Sequence, residues 1–248
     1  YAQMAKALDH YPVYITDDAQ LGSGDEENNF TSMDDEIKNL YAFEHGAVFN
    51  DGVSDPIWNY AYNRIYVCNT VINNMTDASE SDKLNLKSEA MVARAFEYLC
   101  MIGVYAPAYD AATASTDYGL PLISSEDVAD LNYSRSTVEQ VYTAIKQDLD
   151  DALPALLDKT PNTFRPAKNV AYGFLARMYL MHGEYDKALE NAKKALEAFI
   201  STVSNELAKG EKIALIGFGT FSINEKGERT GINPATKQQI TIPAKKVV

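Results

Sequence analysis

The hydrophobic period changes once along this chain, at Gly210. Upstream, from Pro56 to Lys209, apolar residues recur at spacings of three and four, which puts them on one stripe of an α-helix. Downstream they alternate, which puts them on one face of a β-strand. The chain therefore reads as mainly α: a helical region followed by a β-hairpin arm.

The helical region divides at its punctuation. Residues 1–55 are polar and acidic, with a surface loop at 22–29, a short opening helix and a turn near Asp34. Ile57, Trp58, Tyr62, Ile65, Tyr66, Asn69 and Ile72 form an apolar stripe behind Pro56, a residue suited to a first helical turn. Trp58 is in phase with Tyr62 and Ile65, which makes it a core residue. Residues 84–105 form a second helix, and Pro107 and Gly119-Leu120-Pro121 bound the irregular stretch after it. Ser136 with Glu139 three residues on predicts an N-cap and capping box, opening a helix that runs to about Leu157. Residues 167–182 form a fourth helix, stopped by Gly183, and a fifth runs unbroken from Tyr185 to Gly210. A turn at His182-Gly183-Glu184, with Leu175, Tyr179, Tyr185 and Ala188 facing one another, predicts a tetratricopeptide-like helical pair. A generic helical bundle has the same periodicity.

After Gly210, Ile213, Leu215, Phe221 and Ile223 alternate with small or polar residues around a Gly-Phe-Gly turn. Thr230-Gly231-Ile232-Asn233-Pro234 is turn chemistry, and residues 239–243 form the returning strand.

The net charge of −13 is unevenly spread. Residues 197–248 carry seven Lys/Arg and five Asp/Glu, a balance of +2, which leaves 15 and 30, a balance of −15, for residues 1–196. A stretch at −15 does not bind nucleic acid by bulk electrostatics. The two cysteines, Cys68 and Cys100, exclude a disulfide scaffold and a Cys-rich zinc module. They lie on adjacent helices, as small buried residues or as one disulfide. His10, His45 and His182 lack metal-ligand spacing, and the acidic residues 25–27 and 34–36 fit no EF-hand. Gly217-x-Gly219 leads into a strand and lacks a third glycine, so it is no dinucleotide loop. Neither a P-loop nor G-x-S-x-G occurs, no apolar run reaches the length of a membrane span, and no cofactor is expected. The opening Tyr1-Ala2-Gln3-Met4 is neither a signal peptide nor an initiator methionine, which predicts that something precedes it.

Several of these helices carry fixed residue patterns. Trp58, Tyr62, Ile65 and Asn69 lie on one, followed by Glu89-Ala90, Arg94-Ala95 and Tyr98 on the next. Gly119-Leu120-Pro121-Leu122 comes after, then Arg135, Thr137-Val138, Val141-Tyr142, Ile145 and Asp148-Leu149, and finally Lys168, Ala171 and residues 175–180. In this order they resemble the SusD/RagB family. The resemblance covers the N-terminal portion of that family, over about residues 1–197. It implies a non-enzymatic, lipid-anchored outer-membrane protein, exposed on the cell surface. Such a protein holds a glycan or other nutrient ligand and partners a TonB-dependent, SusC-like transporter. Starch-binding members place an aromatic platform where this chain has Tyr41-Ala42-Phe43, in a polar loop ahead of Trp58. Tyr41 and Phe43 would stack on a sugar ring, with Asp17 and Asp18 as polar partners; otherwise the two rings pack the helix after Leu40.

The last 50 or so residues carry a different pattern. Residues 199–212 lead into Ile213-Ala214-Leu215-Ile216-Gly217-Phe218-Gly219, followed by Arg229-Thr230-Gly231-Ile232-Asn233-Pro234 and residues 240–248. This resembles the HU/IHF DNA-binding proteins over 198–248: the end of a helix and the β-arm. The resemblance implies duplex DNA as partner, a homodimer, and a nucleoid or cytoplasmic setting. Pro234 would wedge between base pairs in the minor groove. Arg229, Asn233 and Lys237 would track the groove edge, while Lys226 and Lys245, with Lys212 and Lys246, would meet phosphates. Ile232 replaces the arginine usual in that family and removes one groove contact. The join falls inside one helix without a linker, so the chain reads as a chimera rather than an ordinary domain fusion.

Overall fold

A computed structural model describes residues 35–44, 52, 54–75, 81–126, 134–160, 164–215 and 219–247. The chain divides into two compact units, Tyr1–Ala192 and Lys193–Val248.

The first unit is built from α1 (Asp35–Tyr41), α2 (Pro56–Asn74), α3 (Ser81–Tyr105), α4 (Val138–Ala152), α5 (Lys168–Met181) and the start of α6 (Tyr185–Ala208). Helix α2 starts where Asp55 accepts the amide protons of Ile57 at 2.9 Å and Trp58 at 3.2 Å, with Pro56 needing no partner. It buries Ala61, Ile65, Cys68, Asn69 and Ile72. Helix α3 is central, packing on α2, α4 and α5. Ile65, Leu99, Ile102, Leu120, Ile145, Leu149 and Met178 fill the core without measurable exposure or nearly so. Each large aliphatic side chain buried there contributes about 1.5–3 kcal/mol. Trp58 sits at the core's edge, 4.9 Å from Tyr62 and perpendicular to Tyr105 at 5.0 Å.

Three sequence expectations shift here. The capping box of α4 is Thr137 with Gln140, not Ser136 with Glu139. Ser136 is occupied by an extended pairing: its N–H donates to Leu120 and its carbonyl accepts from Gly119. Helix α4 stops at Ala152 rather than near Leu157, because Pro154 has no N–H to extend the ladder. Tyr185 is not part of the buried seam: it is 70% exposed, while Leu175, Tyr179 and Ala188 are buried. As the first residue of α6 it has no preceding turn on which to lay its ring.

Cys68 and Cys100 are free thiols, which settles the pair as half-buried to buried packing residues. No helix among the described residues is long and apolar enough to cross a membrane.

In the second unit α6 ends at Ala208, and the φ of +88° at Gly210 gives the left-handed step that lets the N–H of Glu211 reach the carbonyl of Glu206 at 3.0 Å. The strands are β1 (Ile213–Leu215), β2 (Gly219–Phe221), β3 (Asn224–Lys226), β4 (Arg229–Ile232), β5 (Gln239–Ile242) and β6 (Lys245–Val247). β1 pairs with β2, β3 with β6 and β4 with β5, all antiparallel. Asn224 faces Val247, Lys226 faces Lys245, Arg229 faces Ile242 and Ile232 faces Gln239. These pairs share one register, so β3–β6 and β4–β5 form one ribbon. It is interrupted where Glu228 would face Pro243, which cannot donate to the ladder. The expected turn at 230–234 lies further on: Thr230 to Ile232 are strand, and the reversal is at 233–238. Ile223 falls between strands rather than within one.

Candidate functional site

The patterned residues of the helical unit converge on a polar lattice. Glu97 binds Arg64 through two bonds of 2.6 and 2.7 Å. Asp148 binds Arg94 at 2.6 and 2.8 Å, and the same guanidinium donates to Asn69 at 2.7 Å. Glu89 binds Arg165 twice at 2.8 Å and accepts from Asn85 at 2.7 Å. The three carboxylates are buried and bidentate, the geometry that makes an arginine–carboxylate pair strong. Burial nevertheless pushes the Glu97 carboxyl up, against the pull of Arg64. Asn69, Glu89, Arg94 and Asp148 are therefore scaffold.

That scaffold fixes the loop after α3. Asn69 donates to the carbonyl of Ile123 at 2.8 Å, Tyr62 to that of Pro121 at 2.8 Å and Arg135 to that of Gly119 at 2.6 Å. Tyr98 accepts the N–H of Ile123 at 2.9 Å, and burial pushes its phenol up to about 12. Gly119 is required by close approach, since a Cβ there would lie 2.7 Å from the carbonyl oxygen of Thr137. Beside it Tyr118 is bridged to Thr137 and is 73% exposed. By sequence this ring belongs to the run 117–122 that carries the family resemblance, with no role of its own.

Tyr41 and Phe43 sit elsewhere in the unit. Tyr41 is the last residue of α1 and half-buried, so it ends a helix rather than lying in a loop. Asp35 and Glu36 favour that helix by occupying its positive end. Phe43 follows in a turn, with φ of +52° and 69% of its surface exposed. Left-handed backbone is unusual for a bulky side chain and marks a locally strained position. Asp17 and Asp18 lie outside the described residues.

The ribbon carries exposed basic residues on both of its strands. Lys226 and Lys245 are exposed and directly opposite each other, whereas Lys246 is engaged with Glu225 at 2.8 Å. Arg229 opens β4, exposed. At the tip Asn233 accepts the N–H of Ala235 at 2.9 Å through its side chain, an Asx turn that sets Pro234 outermost. Lys237 closes the turn with φ of +55°. Ile232 is exposed beside the tip.

The chain thus combines a unit of packed helices with a charged β-ribbon that carries Pro234 in its turn. Residues 3–180 match the SusD-like family, described as starch-binding and associating with the outer membrane. Residues 179–248 match the bacterial DNA-binding protein family. The chain belongs to the SusD-like family through its helical unit and to the bacterial DNA-binding proteins through its end. The second match takes in the whole of α6. DNA-binding protein HU of Staphylococcus aureus is 47% identical over 62 residues, 25% of this chain and 69% of that protein. A SusD superfamily protein from Bacteroides thetaiotaomicron superposes with a TM-score of 0.60 at 24% identity, over 77% of this chain and 41% of its own. A SusD-like carbohydrate-binding protein from Bacteroides vulgatus does so at 0.55 and 23%, over 79% and 39%. The chain thus spans about two fifths of the length of these SusD-type structures, and at these identities the likeness is one of fold.

Proposed function

We propose that the helical unit is a non-enzymatic binder of a glycan or related nutrient, taken up through aromatic stacking on Tyr41 and Phe43. The observation that carries this is Phe43, a ring held open to solvent by left-handed backbone. A flat ring covers the apolar face of a sugar, and carboxylates such as Asp17 and Asp18 take its hydroxyls. The starch-binding, outer-membrane description of the family supports both the ligand class and a surface-exposed, lipid-anchored setting beside a TonB-dependent, SusC-like transporter. Affinity for a glycan panel tests it with Tyr41→Ala, Phe43→Ala and Tyr118→Ala. Loss in the first two supports the site. Unchanged affinity in both removes it, and loss confined to Tyr118→Ala moves the platform to the loop after α3.

A second reading, duplex DNA on the ribbon, is favoured by Lys226 facing Lys245. Like charges directly opposite destabilise a β-pair, and a phosphate between them relieves the repulsion. Pro234 then enters the minor groove and kinks the duplex, with Arg229, Asn233 and Lys237 along the groove. Leu196, Phe199 and Ile200 lie at spacings of three and four and are exposed on α6, an apolar face suited to a second copy of the chain. Binding to duplex DNA at two salt concentrations tests this. Removing both Lys226 and Lys245 should reduce the log–log salt slope by about 2, and Pro234→Ala should lessen bending. No binding at low salt excludes the reading.

A further inference from the structure

Apart from the rings and the ribbon, the helical unit contains a groove of about 420 Å³ between α2, α3 and α5. That size lies in the range of small-molecule sites, about 300–1,000 Å³. Its walls are mostly apolar: Ile57, Phe96, Met101, Val104 and Met181. Phe96 is braced by stacking on Phe174 at 5.0 Å. Gly103 opens the floor. It sits inside α3, where glycine costs about 1 kcal/mol relative to alanine, yet no backbone constraint demands it: a Cβ there would meet only the Met181 terminal methyl, at 3.8 Å. A longer side chain at this position would fill the groove.

The polar groups of the groove are unequal. Arg64 is neutralised by Glu97, whereas Arg177 is exposed and has no carboxylate partner among the described residues. The groove carries one net positive charge within a stretch, residues 1–196, whose balance is −15. Cys100 lines the same wall, and burial pushes its thiol up to about 11 despite the nearby Arg177. The wall is thus desolvated while the cation stands at its rim.

We propose that this groove binds a single-chain amphiphile with a carboxylate head, its alkyl chain over Gly103 and its head on Arg177. The inference is independent of the glycan and DNA readings. Calorimetric titration of the full chain with decanoate, below micelle formation, and with decanol tests it. The wild type should show saturable single-site binding of both. Arg177→Gln should weaken decanoate about tenfold, the scale of a lost charge-assisted hydrogen bond, and leave decanol unchanged. Gly103→Phe, which also improves helix propensity, should abolish both, and Gly103→Ala, adding only an ordinary contact, should cause a smaller loss with the fold intact. Absence of saturable binding overturns the proposal, as does binding that survives Gly103→Phe or an equal effect of Arg177→Gln on acid and alcohol. A wild-type dimer that Gly103→Phe dissociates would make a second copy the occupant and overturn it too.

Discussion

The helical unit and the ribbon hold their charges in opposite ways. In the first, Glu89, Glu97 and Asp148 are withdrawn from water and each is clamped by an arginine. In the second, Lys226, Arg229, Lys237, Lys245 and Lys246 all stand in solvent, and no described apolar side chain of the ribbon is buried. Buried charges specify which elements meet, because an unpaired one is costly. Exposed charges specify little about folding and remain available to a partner. The same residue types thus build a fold in one region and a surface in the other.

Five substitutions press on that contrast. Arg94→Ala strands Asp148 and Asn69 inside the helical unit and should cost about 3–5 kcal/mol in denaturant unfolding. Lys246→Ala, which breaks the exposed pair with Glu225, should leave the unfolding midpoint unmoved; equal effects would erase the distinction. Gly119→Ala forces a methyl against the Thr137 carbonyl and should cost about 1–3 kcal/mol, read as a lowered melting temperature. Thr137→Ala should cost about 1 kcal/mol and Ser136→Ala much less, since Thr137 alone makes the side-chain cap; the reverse order would restore the cap expected from sequence.

The smallest effect concerns His182. It stacks on Tyr109 at 3.8 Å and meets Tyr142 edge-on, and its Nε2 is buried without a hydrogen-bond partner among the described residues. Desolvation holds its pKa below the ordinary imidazole value; Glu184 and Glu139 pull upward, and Lys187 downward. The unfolded chain therefore takes up a proton at about pH 6.5 while the folded chain does not. Stability should decline as pH falls through 6.5 toward the folded value and level off below it. His182→Phe keeps the stack and should flatten that slope; a slope that persists would assign it to other groups.

Local chemistry was legible wherever one segment decides the outcome. The change of period at Gly210, Pro56 at a helix start and Gly183 at a helix end follow from the backbone limits of those residues. The cap of α4 was misplaced by one position because Ser136 is held by Leu120, sixteen residues away, and no local pattern reveals that pairing. The end expected near Leu157 overran Pro154, whose missing N–H is a local stop signal. The patterned residues Asn69, Glu89, Arg94 and Asp148 were picked out by resemblance, but their work as a lattice depends on which helices meet. Tyr118 was legible only as part of the 117–122 run, since its bridge to Thr137 joins residues nineteen apart. On the ribbon, Pro234 lies in the turn at 233–238, beyond the 230–234 expected from sequence, because the extent of β4 depends on its partner across the ladder.

Helix α3 supplies Glu89, Arg94 and Glu97, and each is gripped by a different segment: Arg165, Asp148 on α4, and Arg64 on α2. To open α3 alone, all three grips must release together and leave six charges without their counterparts. Fraying from one end therefore gains nothing until the neighbouring segments also let go. In hydrogen-exchange terms, the amides from residue 89 to residue 97 should exchange only through global opening, as one cooperative block with α2 and α4. The outer turns of the helix, from Ser81 and toward Tyr105, retain freedom to breathe.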